Sequence, residues 1–163
     1  MPRRTRAAEP VTLFLCLVRT EETALATNGL LNILPRPDLP PPPPPFNGIE
    51  KSWLGNAPNS SRIPPQTHYR LCRTHSELWE CEVIGIFSAI LKKEGTVVGR
   101  ENEEIALIPT RDIATVPNGS IGVVEKHTGP GRGYAPDPAF ATLCQVVFSA
   151  LDRGERVLLE IRS

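Results

Sequence analysis

The segment Val116-Pro117-Asn118-Gly119-Ser120-Ile121-Gly122-Val123-Val124-Glu125 joins a turn signal to an apolar, β-branched run. Asn-Gly readily adopts the positive φ angles that tight hairpins require, so it predicts a turn at Asn118-Gly119. The isoleucine and valines after it favour a strand over Ile121–Thr128. A second short apolar run, Ile105–Ile108, precedes the turn. We therefore predict a hairpin turn at Asn118-Gly119 and a separate strand at Ile105–Ile108 that stops at Pro109.

Strand signals extend from this segment back to Tyr69. The run Tyr69–Thr74 alternates in polarity, which is typical of a strand. The run Leu78–Leu91 is long and apolar, and it fits either one long strand or a strand that continues as a helix. About 100 residues suffice for a core that folds alone. We therefore predict a compact, mainly β domain over residues 67–163.

Residues Ala139–Leu151 fit two structures. Asp137 could cap a helix that ends before Gly154, and helical spacing would give it an apolar face formed by Phe140, Leu143, Val147 and Leu151. Several residues of the same run prefer strands, and a strand here would pair with Arg156–Ile161 through a turn at residues 152–154. We favour the strand; a helix over 139–151 would make the domain α+β.

The N-terminal part differs in composition. Of the 18 prolines, thirteen lie between Pro2 and Pro65, and Pro40–Pro45 are consecutive. Proline lacks a backbone N–H and fixes φ, so this tract excludes a helix or an inner strand and favours polyproline II. We expect residues 35–66 to form a disordered, proline-rich linker. We expect residues 1–34 to form an N-terminal segment in which Val11–Val18 and Leu30–Leu34 pair as a hairpin.

Gly119 and Gly122 in the first segment supply a Gly-x-x-Gly-x-Val pattern. The pattern resembles the glycine-containing turn and strand of KOW-type and other small SH3-like barrels, over the C-terminal third of the chain. The resemblance implies that Val146-Val147-Phe148 is a later strand and that Gly154 makes the last turn. It implies a small SH3-like barrel or compact sheet, preceded by the proline-rich region, and a role as a binding module.

Residues 1–26 admit two interpretations. A basic start at Met1–Arg6, the apolar run Val11–Val18 and the small residues at Ala24–Ala26 follow the order of a secretory signal peptide. However, the apolar run has only eight residues and charged residues follow it at once, which favours a buried strand. We therefore predict a cytoplasmic protein, with a secreted protein as the alternative. No run approaches the ~20 apolar residues that span a bilayer.

Four residues of metal-ligand type lie close together in the sequence: His68, Cys72, His75 and Cys81. Because zinc is held by four Cys or His ligands, the cluster could serve a small zinc protein or enzyme. A strand at Tyr69–Thr74 would place Cys72 and His75 on opposite faces, which argues against such a site. Alternatively, a hairpin centred on Ser76-Glu77 would set Cys72 opposite Cys81, as in a disulfide of a secreted protein. We predict no cofactor, with zinc as the alternative.

The proline tract has a recognition chemistry of its own. Aromatic grooves of SH3, WW and EVH1 domains capture polyproline II segments because these lose little entropy on binding. A basic residue often flanks such ligands, and an isolated tryptophan could serve as a further contact. The candidate partner-binding residues are Arg36, Pro37, Pro40, Pro43 and Trp53. The alternative is a semi-rigid spacer.

The charge balance narrows the class of partner. Eighteen basic and eighteen acidic residues give a net charge of zero, whereas a nucleic-acid binder is usually strongly basic. A charge near zero also favours self-association.

No serine lies in a Gly-x-Ser-x-Gly elbow, the pattern of many nucleophilic hydrolases. We therefore predict a non-catalytic protein-interaction or adaptor module whose partner is another protein, such as a polyproline-binding domain.

Overall fold

The structure, a computed structural model, describes residues 11–58, 60–88, 97, 100 and 103–163. Its strands are β1 (Thr12–Glu22), β2 (Ala26–Ile33), β3 (Phe46–Lys51), β4 (Gln66–Ser76), β5 (Cys81–Ser88), β6 (Ala106–Pro109), β7 (Ile121–Val124), β8 (Lys126–Gly129), β9 (Arg132–Tyr134) and β10 (Arg156–Arg162). A 3₁₀ turn covers Ile113–Thr115, and helix α1 covers Pro136–Asp152. Strands account for 47% of the described residues and helices for 14%, which confirms a mainly β protein.

Eight of these strands form one closed barrel, in the order β1-β10-β4-β5-β6-β7-β3-β2. Two neighbouring pairs, β1 with β10 and β6 with β7, are parallel, and the other six pairs are antiparallel. Closure leaves these strands without an unpaired edge. The structure is thus a small closed barrel, as the resemblance to SH3-like barrels implied in general kind.

Apolar side chains from alternate positions fill the barrel. On β1 these positions are Leu13, Leu15 and Leu17, and on β10 they face Val157, Leu159 and Ile161 across the parallel register. All six residues are at most 2% exposed. An eight-stranded barrel has an interior just wide enough for side chains to occupy. The interior of this barrel is therefore the hydrophobic core of the protein.

The strand that we favoured within residues 139–151 is wrong, because this run lies inside helix α1. The helix begins at Pro136, where the missing N–H costs nothing, and carries Asp137 in its first turn. Its apolar side includes Phe140, Leu143 and Val147, which pack into the core. Burial of this side outweighs the moderate strand preference of the β-branched residues. The C-terminal strand β10 is present, but it pairs with β1 and β4 rather than with a strand inside residues 139–151.

The hairpin predicted at Asn118-Gly119 is also wrong, because β6 and β7 run parallel and residues 110–120 cross between them. The side chain of Asn118 accepts a hydrogen bond from the N–H of Ser120 (2.9 Å), which forms a local turn. A Cβ atom at Gly119 would lie 2.6 Å from both Arg100 Nη2 and the carbonyl oxygen of Ser61. Glycine is required at position 119 by close packing rather than by a hairpin.

The N-terminal third belongs to the barrel. Strands β1 and β2 pair antiparallel around a turn at residues 23–25, and β3 pairs with both β2 and β7. We expected residues 35–66 to be a disordered linker, but β3 lies within this range. Phe46 and Ile49, which follow Pro45, are apolar and buried. Unlike the prolines, the residues of β3 have N–H groups that can bond to neighbouring strands. The apolar run at Val11–Val18 is the body of β1.

The remaining hairpin, β8 with β9, covers the outside of the barrel next to β3. His127 Nε2 lies 2.9 Å from the carbonyl oxygen of Gly48, and Asn28 Nδ2 donates to the carbonyl oxygen of Gly129 (3.1 Å). Gly131 has φ of +66°, a conformation that favours glycine, and its N–H donates to Asn28 Oδ1 (2.8 Å). The glycine-rich stretch 129–133 is therefore held against β2 by hydrogen bonds to Asn28.

Candidate interaction site along the proline tract and helix α1

The proline tract runs antiparallel to α1. A depression of about 230 Å³ lies between the two, and its lining includes Arg36, Leu39 and Pro40–Pro43 from the tract and Val146 and Ser149 from the helix. A second depression, of about 340 Å³, lies between Pro43–Phe46 and the first turns of α1. The start of the tract therefore lies beside the end of the helix, and its end lies beside the helix start.

Arg36 fixes the start of the tract. Its Nη1 donates to Glu155 Oε1 (2.7 Å) and its Nε donates to Asp38 Oδ1 (2.7 Å). Arg153 Nε donates to the other oxygen of Glu155 (2.8 Å). Hydrogen bonds from Arg153 and then Arg36 lower the pKa of Glu155 to about 2. We call these four residues, at the junction of the tract, α1 and β10, the arginine latch.

The latch and Leu39 leave one edge of the tract open to solvent. Leu39 is half-buried and packs against the core. Pro42 and Pro43 are also half-buried, whereas Pro40, Pro41, Pro44 and Pro45 are exposed. Residues three apart lie on the same edge of a polyproline II helix. Pro41 and Pro44, which have this spacing, are both exposed.

The structure separates the five predicted partner-binding residues into two places. Arg36, Pro37, Pro40 and Pro43 lie along the tract, and Arg36 is held by carboxylates of the same chain. Trp53 follows β3, whose first residue adjoins the tract, so it lies at the far end of the barrel. Trp53 is 45% exposed, and its ring centroid lies 5.3 Å from Cζ of the Arg62 guanidinium. Glu155 and Arg153 were missed, since no local pattern links them to residue 36.

Two buried ion pairs, Arg19–Glu50 and Arg100–Glu103, and one partly exposed pair, Arg62–Glu22, close the far end of the barrel. Arg19, the inward-facing residue after Leu17 on β1, donates from Nε and Nη2 to the carboxylate of Glu50, both at 2.9 Å. Arg62 pairs with Glu22, and Arg100 pairs with Glu103. Arg19 Nη2 also donates to the carbonyl oxygen of Ile63 (2.7 Å). These bonds fasten the segment after β3 over the barrel opening.

The predicted zinc ligands do not meet in the structure. His68 lies on the outside of the barrel beside the ring of Phe14, with centroids 6.3 Å apart. Cys72, His75 and Cys81 all belong to the β4–β5 hairpin. His75 is next to the Ser76–Cys81 pair, whereas Cys72 is four positions away from that pair along β4. Within the described ranges, no group of three or more His, Cys, Asp or Glu side chains is arranged to hold a metal ion.

The cross-strand pairing of Cys72 with Cys81 is wrong, because the hairpin turns at residues 77–80 rather than at Ser76-Glu77. Cys72 faces Gly85, and Cys81 faces Ser76. All four cysteines lie in the described part of the chain, and they are thiols rather than members of disulfides. Burial raises the pKa of Cys144, on α1, to about 12, with the neighbouring Cys81 as a smaller cause. This thiol is therefore poorly suited to act as a nucleophile near neutral pH.

Taken together, the fold and the site define a small closed β-barrel that carries a proline tract along its helix. Comparison with models of protein families, with curated proteins and with solved structures found no match to this chain. Among the helices that the structure describes, none is long and apolar enough to cross a membrane.

Proposed function

We propose that this protein is a non-catalytic protein-interaction module, and that it binds its partner through the exposed edge of the proline tract. The observation that carries the proposal is that the tract is fixed along α1 while Pro40, Pro41, Pro44 and Pro45 stay exposed. A ligand that is already held in its extended form loses little entropy on binding. The tract therefore meets the physical requirement for a polyproline ligand.

The arginine latch indicates which kind of groove fits. Grooves that use a basic flanking residue would have to compete with Glu155 and Asp38 for Arg36. A groove that contacts proline rings through aromatic side chains alone needs no such exchange. The proposed partner is therefore a domain whose groove is lined by aromatic side chains and binds proline rings. The small closed barrel is of the same general kind as SH3-like barrels, which commonly act as binding modules, and this supports a binding role.

The first prediction tests this edge by calorimetric titration of the full chain with isolated WW, EVH1 and SH3 domains. We expect at least one domain with an aromatic groove to bind, and the double variant Pro41→Ala/Pro44→Ala to weaken binding about tenfold or more, because it removes two ring contacts from one edge. Pro117→Ala changes an exposed proline outside the tract and is the matched control. Binding by none of the domains, or equal affinities for the two variants, would contradict the proposal.

A further inference from the structure

Three buried polar atoms at the far end of the barrel have no hydrogen-bond partner among the residues that the structure describes. They are Arg19 Nη1, Thr27 Oγ1 and Arg62 Nε. The three residues are at most 6% exposed. Buried donors of charged groups are seldom left unpaired, because they lose water without gaining a partner. These atoms therefore call for a ligand that accepts hydrogen bonds.

The strand register brings the three atoms to one place. Thr27 on β2 is paired with Glu22 on β1 and with Glu50 on β3. Arg62 donates to that Glu22, and Arg19 donates to that Glu50. The residue pairing therefore places Thr27 between the two glutamates that hold Arg62 and Arg19.

The chemistry of these donors selects the ligand. Guanidinium N–H groups only donate, and a threonine hydroxyl can also donate, so all three atoms can serve one acceptor. Both carboxylates are already engaged by the other nitrogens of the same arginines. The positive charge of Arg19 also contributes to lowering the pKa of Arg62, after the larger effect of burial. An anion relieves this repulsion between the arginines, whereas a water molecule does so only weakly.

We propose that Arg19, Thr27 and Arg62 form a buried binding site for a small monovalent anion of the size of chloride. The partly exposed Trp53 adjoins the site, because its ring centroid lies 5.3 Å from Cζ of Arg62. Occupation fastens the segment after β3 to the barrel end, because Arg62 belongs to that segment and Arg19 to the barrel wall. This site does not depend on the proposed function of the proline tract.

Thermal unfolding of the full chain at constant ionic strength tests the site, with sodium chloride exchanged for sodium gluconate, whose anion is too large to enter. A ligand that binds only the folded state stabilises it with concentration. We expect each tenfold rise in chloride above its dissociation constant to raise Tm by about 3–5 °C. Arg62→Lys removes the Nε donor but keeps the charge, and it should abolish this rise. The surface variant Arg162→Lys should keep it.

Bromide supplies a second measurement that needs no variant. In crystals of the unaltered protein grown with sodium bromide, an anomalous peak within hydrogen-bonding distance of Arg19 Nη1 and Arg62 Nε would support the site. The same Tm in chloride and gluconate, together with a water molecule and no anomalous peak at this position, would overturn it. A full chloride response in Arg62→Lys would overturn it as well.

Discussion

The ion pairs Arg19–Glu50 and Arg162–Glu160 have the same nitrogen–oxygen distance, 2.9 Å, in opposite surroundings. The side chains of Arg19 and Glu50 are each 1% exposed, whereas those of Arg162 and Glu160 are 62% and 30% exposed. Loss of one partner in a buried pair leaves the other charge without water or counter-ion. At the surface, water replaces the lost partner. The two pairs should therefore differ strongly in what their disruption costs.

The second prediction compares Glu50→Gln with Glu160→Gln by urea unfolding. We expect Glu50→Gln to lower the free energy of unfolding by about 3–5 kcal/mol, because Arg19 stays buried and charged. Glu160→Gln changes the same pair of atom types at the surface and should leave the unfolding midpoint nearly unchanged. Equal, small losses in both variants would show that the far end of the barrel is open to water.

The sequence alone gives little sign of the buried pair. Arg19 and Glu50 are 31 positions apart, and each follows an apolar run as a strand-end charge commonly does. Their burial depends on which strands become neighbours and on the segment that closes the barrel end. Gly119 is likewise constrained from a distance, because Arg100 and the carbonyl oxygen of Ser61 leave no room for a Cβ atom. The sequence predicted a hairpin turn there, since it shows local turn propensity but not these long-range contacts.

The tract and α1 act as one unit at the scale of secondary-structure elements. The apolar side of the helix packs on the core, and its outer side supports the tract through Leu39 and the half-buried Pro42 and Pro43. The arginine latch ties the start of the tract to the start of β10. Attachment of the start of the tract therefore involves a carboxylate, Glu155, and this makes the attachment sensitive to acid.

The third prediction concerns this acid sensitivity. The pKa of Glu155 falls from its ordinary value of 4.5 to about 2 on folding, so its ionised form stabilises the folded state. That contribution is complete above pH 4.5 and is lost as the pH falls towards 2. Thermal melts of Glu155→Gln should therefore show a lower Tm than the unaltered protein at neutral pH and a smaller further drop between these two pH values.

Glu82→Gln serves as the control, because Glu82 is an exposed carboxylate outside the latch. It should keep the acid-dependent drop of the unaltered protein. If Glu155→Gln loses as much stability on acidification as the control does, the latch makes no net contribution to folding.

Element types followed from the sequence where the pattern was clear, as in β1 and β4, and only in part at β5, whose apolar run also fitted a strand that continues as a helix. They did not follow at α1, where strand propensity and helical spacing conflicted. The conflict is resolved by the barrel, because the apolar side formed by Phe140, Leu143 and Val147 contacts its core. Likewise, a proline tract signals an extended chain, but the sequence does not say whether that chain is free or lies on a helix.

At the scale of the whole molecule, the decisive feature is that the first strand, β1, pairs with the last strand, β10, and closes the barrel. Strand β1 lies between β2 and β10, and β3 lies between β2 and β7. Such long-range neighbours leave no periodic signal, which explains why a composition shift near residue 66 looked like a domain boundary. Mainly β content is encoded locally, but barrel order depends on contacts between distant parts of the chain.

The fourth prediction follows from this closure. Residues 67–163 lack β1, β2 and β3, so β10 and β7 become open edges, and Leu159 and Val123 lose the strands that shield them. A sheet with open edges and a bare apolar face gains too little burial to offset the entropy of ordering its chain. We expect this piece to show no cooperative thermal transition by circular dichroism, whereas the full chain melts in one step. A cooperative melt of residues 67–163 with a Tm close to that of the full chain would instead identify them as an independent domain and make the N-terminal strands an accessory to it.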